Sequence, residues 1–125
     1  MTDLLTITLP ATVHRDTKLE GRITSHEPTI RRATVWLFGP GVFPVPGGHS
    51  TWLDLKPQRL WARSVHPLRR PTDPPDTRLG MFRKAITERF VPGVYTVVAH
   101  VPKEPGSAFG DYVQAKTFEV VTNDG

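Results

Sequence analysis

The residues able to do chemistry are few and scattered. Five histidines, His14, His26, His49, His66 and His100, fall in separate turns or strands. No pair has the short spacing that would set two imidazoles on one face, and His-Glu-x-x-His is absent. His100 lies within an apolar strand, where a packed or rim role fits better than ligation. Ser107 sits in Pro105-Gly106-Ser107-Ala108-Phe109-Gly110, a loop composition and not the strained elbow of Gly-x-Ser-x-Gly. Gly39-Pro40-Gly41 and Gly47-Gly48 lack the Lys-Ser/Thr partner, or the strand–loop–helix setting, of a phosphate cradle. The carboxylates stand among basic neighbours, which suits solvated pairs. With no cysteine in the chain, disulfides, thiolate zinc sites and a cysteine nucleophile are removed together. The expectation is a protein without catalysis, metal or cofactor.

One segment does stand out. Between residues 56 and 78 the cations Lys56, Arg59, Arg63, Arg69, Arg70 and Arg78 face only Asp73 and Asp76. That segment alone carries a charge equal to the whole formal excess of +4. Around it Trp52, Leu53, Leu55, Leu60 and Trp61 alternate with the basic groups. Such interleaving can bind single-stranded nucleic acid by stacking and phosphate contact, although no RNA- or DNA-binding signature accompanies it. It equally describes a protein interface, because Arg and Trp dominate interface hot spots and stiff proline-rich segments dock at low entropic cost. The interface reading is preferred, with Trp52, Arg59, Trp61, Arg63, Arg69 and Arg70 as its binding residues. The plain alternative is a solvated loop, with Trp52 and Trp61 filling the core.

The elements that must position these residues read as strands. Thirteen prolines and ten glycines in 125 residues fit short strands joined by many turns better than helices. The organising stretch is Val94-Tyr95-Thr96-Val97-Val98-Ala99-His100-Val101, opened by the turn pair Pro92-Gly93. Both of its rows are apolar, which predicts a central strand covered on both faces or on most of both. Residues 4–9, 17–24, 33–38 and 112–121 alternate with period two. Gly21 inside the second of these predicts a bulge or the close approach of a neighbouring backbone. Residues 13–16 read as a polar turn, and 51–55 and 59–65 as edge strands. Residues 67–76, rich in proline, read as extended and exposed. Residues 81–90 fit helix or strand. The strand is preferred, because no N-cap residue precedes Met81. The sum is one domain over 1–125, an all-β antiparallel sandwich of about seven strands, with an irregular insertion at 42–78. No apolar run approaches the ~20 residues of a membrane span, and no basic-then-apolar leader opens the chain. A cytosolic product, or a piece of something larger, is expected.

Thr34-Val35-Trp36-Leu37, Gly80-Met81-Phe82, Pro92-Gly93-Val94-Tyr95 and Thr117-Phe118-Glu119-Val120 together resemble the immunoglobulin-like modules of bacteria, archaea and their viruses. The resemblance covers about two-thirds of the chain and fails from 42 to 76. It implies an immunoglobulin-like sandwich in which Tyr95 is either a tyrosine corner or an ordinary half-buried strand aromatic. The function it implies is structural or adhesive, through protein–protein contacts. The leading setting is a phage virion, as a capsid decoration protein made in the host cytoplasm. Its partner would be a shell, tail or surface lattice protein, or a second copy of the chain. The alternative is a carbohydrate- or ligand-binding accessory module of a larger secreted or surface protein, presenting Trp36, Trp52 or Trp61.

Overall fold

A β-branched run with bulk on both sides can be satisfied only by a strand with material packed against each face. The segment at residues 93–101 does form such a strand. The computed structural model describes residues 4–27, 30–40, 56–73, 77–101 and 112–122. The strand expected at 51–55 and the loops holding Gly47 and Ser107 lie outside the described residues. In chain order the strands are β1 (Leu5–Thr8), β2 (Thr12–His14), β3 (Thr17–Ser25), β4 (Ala33–Phe38), β5 (Trp61–Val65), β6 (Arg78–Ile86), β7 (Gly93–Val101) and β8 (Tyr112–Val121). A short 3-10 turn, Lys56–Gln58, precedes β5.

The eight strands form two sheets in a sandwich-like, all-β arrangement. One has the order β1-β3-β6 and the other the order β2-β8-β7-β4-β5, the larger sheet curling into a half-barrel. All pairings are antiparallel except β2 with β8, which is parallel. On one side the chain switches sheets between β1 and β2. On the other it crosses after β5, where Leu68 and Leu79 exchange backbone hydrogen bonds of 3.0 and 2.9 Å. Both sides of the sandwich are therefore laced by the chain itself.

The inward rows of β3 (Leu19, Ile23), β4 (Val35, Leu37) and β7 (Tyr95, Val97) meet in one core. Each fully buried aliphatic or aromatic side chain contributes about 1.5–3 kcal/mol. A second, smaller cluster, Trp36, Phe38 and Val98, is buried on the opposite face of the larger sheet. β7 is thus covered on most of both faces, with Val94 at its start exposed. Gly93, at φ 152°, takes a backbone conformation open to glycine, and a side chain there would press on Pro40.

Several local expectations change. Residues 13–16 are not all turn. Val13 is buried in β2, and the turn begins at Arg15, with Asp16 at φ 66°. The approach to Gly21 comes from the Phe82 ring and not from backbone; a methyl group there would overlap the ring. Residues 78–86 are strand, as preferred, but the strand ends at Ile86, and a turn closed by Phe90 N–H donating to the Thr87 carbonyl follows. The proline-rich stretch is neither exposed nor extended throughout: Pro67 is buried, and after the extended Leu68, which bridges to Leu79, Arg70 to Asp73 forms a closed turn, while 74–76 lie outside the described residues.

Candidate functional site

The basic segment lies along the edge of the larger sheet. Among the described residues β5 pairs only with β4, and Ala62, Arg63 and Ser64 are exposed. Two exposed leucines bracket the strand, Leu60 at 56% and Leu68 at 68%. Leu60 is fixed by its backbone N–H donating to the Leu37 carbonyl at 2.7 Å. The residues from Arg59 to Arg70 therefore span this edge strand and the start of the crossing that follows it.

The predicted site residues divide among three environments. Arg59 is exposed and holds its guanidinium 5.0 Å from the centre of the Trp36 ring, on the outer cluster. Trp61 is half-buried, packs against the main core and lies 6.3 Å from the Phe82 ring. It is a rim-of-core residue and not a stacking platform. Arg63 is exposed at the middle of β5, opposite Val35. Arg69 donates to the Asp73 carbonyl at 3.3 Å, and Arg70 holds Asp73 through its backbone N–H at 2.9 Å and its guanidinium at 3.2 and 3.3 Å. The Arg70 hydrogen bonds, side chain first and then backbone, hold the Asp73 carboxyl below the usual carboxylate range. Trp52 lies outside the described residues. The five described side chains thus lie on or beside β5 and the crossing after it without converging on one point.

The histidines do not gather. His26 meets the Thr6 hydroxyl at 3.0 Å, His14 and His66 are exposed on different strand ends, and His100 is half-buried opposite Thr34. Among the described residues no three His, Asp or Glu side chains are grouped to hold a metal, and no helix is long and apolar enough to cross a membrane. With that geometry in place, the chain can be set against known proteins. No family model, no curated protein and no solved structure matches it. Its chemistry has to be read from its own side chains.

Sequence reasoning missed one constellation. At the end of the sandwich where β6 gives way to β7, Leu60, Lys84, Arg89, Phe90 and Tyr95 line a cavity of about 250 Å³. Its floor is aromatic, with the Phe90 and Tyr95 rings 5.5 Å apart. Tyr95 is buried, and its hydroxyl donates to the Val91 carbonyl at 2.7 Å, tying the start of β7 to the turn before it. Burial pushes the phenol above its ordinary value, outweighing the nearby Arg15 guanidinium. The available signal was the row Phe82-Lys84-Ile86. A lysine in the inward row of a strand at the edge of its sheet marks a place where the core opens.

Proposed function

We propose that the chain is an immunoglobulin-like β-sandwich that acts as a non-enzymatic structural or adhesive module through protein–protein contacts. Two features support the fold assignment. The first strand divides between the sheets, its second half parallel to the last strand. Tyr95 also occupies the place of a tyrosine corner, at the start of the next-to-last strand with its hydroxyl bonded back to backbone. The observation that carries the functional reading is the exposed edge, where Arg63, Arg69 and Arg70 and the leucines Leu60 and Leu68 are all exposed on β5 and the segments flanking it. Arginine is the cation best suited to interfaces, since it is planar, weakly hydrated and able to bond in pairs. Fold similarity transfers no activity by itself, so the setting follows only by analogy. That setting is a phage virion, with the module seated as a decoration protein on a shell or tail protein.

The test is to purify particles from a producing culture on a density gradient and quantify this chain against the major shell protein by mass spectrometry. A fixed stoichiometric ratio through the gradient supports the reading. Particles that lack the chain overturn the virion setting. An Arg63→Ser, Arg69→Ser, Arg70→Ser variant that still joins the particle at the same ratio overturns the role of the edge. The described tryptophans do not favour a sugar-binding platform, because Trp36 is buried and Trp61 packs on the core.

A further inference from the structure

We infer that the cavity at the β6–β7 end is an anchor pocket for a partner protein, taking one aromatic or leucine side chain that adjoins a carboxylate. This deepens the interface reading above and rests on it. Size sets the first limit. At about 250 Å³ the cavity falls below the roughly 300–1,000 Å³ typical of cofactor or drug-sized ligands, yet it can admit a single large side chain. Interfaces concentrate their energy in anchors of that kind, seated in desolvated pockets. The floor suits such a guest, since the half-buried Phe90 ring, backed by the buried Tyr95 ring, presents apolar surface and Leu60, 56% exposed, forms an apolar wall.

Charge sets the second limit. The two other described lining residues are cations, Lys84 and Arg89, and among the described residues no carboxylate lines the cavity. Among the described residues neither makes an ion pair; Lys84 instead holds its ammonium 5.7 Å from the Phe90 ring centre. Glu88, the neighbour of Arg89, and Asp16, whose backbone N–H donates to the Ile86 carbonyl at the end of β6, are exposed in their own turns. The Arg15 guanidinium is already committed to the Glu88 carbonyl. Two cations without an ion pair among the described residues, lining an aromatic pocket, complement a carboxylate next to the inserted side chain. They reject a purely apolar segment, because their desolvation would go uncompensated.

The probe is a capped Glu-Phe-Asp-Gly peptide titrated into the isotope-labelled chain and followed by amide NMR shifts, with capped Gln-Phe-Asn-Gly and Glu-Ala-Asp-Gly as controls. Saturable shifts centred on Lys84, Arg89 and Phe90 are expected. Affinity should fall about threefold or more for each of Lys84→Met and Arg89→Ala, as for a partly exposed ion pair, and similarly for the neutral peptide. Binding by the Phe peptide that survives both substitutions, or equal binding of the Ala peptide, overturns the pocket. Both side chains reach solvent, and a urea midpoint for each variant within error of the parent confirms that the fold is intact. The two readings fail separately. Lys84→Met, Arg89→Ala chain that enters particles at the parental ratio removes the pocket and leaves the virion reading standing. Peptide binding by a chain absent from particles does the reverse.

Discussion

At the scale of single residues, two contacts carry most of the local specification. Tyr95 is the largest fully buried side chain among the described residues and spends its one donor on the Val91 carbonyl. Tyr95→Phe keeps the ring stack with Phe118 and removes only that bond. The expected loss is about 1 kcal/mol, at the low end for a buried donor because Val91 is exposed and its carbonyl can turn to water. The phenol also fixes an alkaline limb. Its folded-state value is raised, so its contribution is complete below about pH 10 and is lost as pH climbs through the folded-state value. Urea midpoints measured across that range should fall more steeply for the parent than for Tyr95→Phe, and parallel curves would refute the assignment. The second contact is the Phe82 ring on Gly21. Gly21→Ala is expected to cost about 1–3 kcal/mol by overpacking, and most of that cost should vanish in a Phe82→Leu background. Additive losses would mean that the ring is not the obstacle.

At the scale of elements, the molecule is held at its flanks by short pairings that are easy to overlook. The Leu68–Leu79 bridge involves one residue on each side, yet it joins the two sheets where β5 ends. Its two amides should exchange with solvent as slowly as those of the β4–β5 ladder, although the Leu68 side chain is exposed. Exchange at loop rates would show that this flank is open. Asp73 organises the turn just beyond. Asp73→Asn should release the Arg70 amide while leaving Leu68 protected. The parent should do the same in acid, because a lowered carboxyl loses its contribution only as pH falls through the depressed value, below about 3.9. These flanking pieces also mark the boundary of what was legible. β4, β7 and β8 could be read directly, since Ala33, Val35 and Leu37, or Phe118 and Val120, alternate cleanly against solvent or a second apolar cluster. β2 could not, because three residues hold too little periodicity, and Val13 is buried by parallel pairing with a strand some hundred positions away. Proline content likewise spoke for an extended run at 67–76. Pro67 is buried beside Gly80, which leaves the wall free of a side chain at that point.

At the scale of the whole molecule, lacing on both flanks means that neither sheet can open without breaking contacts of the other. Sheet order was not written in any local pattern, since it depends on which distant strands meet. The anchor pocket escaped for the same reason: Leu60 reaches Lys84 and Tyr95 only after β5 and β6 have taken their sheets. Unfolding is therefore expected as one cooperative transition, with the outer cluster reporting at the same midpoint as the main core. Trp36 provides the probe, because it lies on the far face from Tyr95, is buried, and carries Arg59 5.0 Å over its ring. In a Trp52→Phe, Trp61→Phe background its emission should be blue-shifted and resist quenching by acrylamide. It should also change at the same urea concentration as backbone circular dichroism. Earlier loss of the tryptophan signal would make the outer cluster a separate, weaker layer, and a red-shifted, quenchable emission in native buffer would return Trp36 to the list of exposed platforms. Coincident transitions would instead describe a rigid body whose Arg-bearing edge and end pocket keep a constant distance. Two docking points on one partner can add their free energies without a further ordering cost only under that condition.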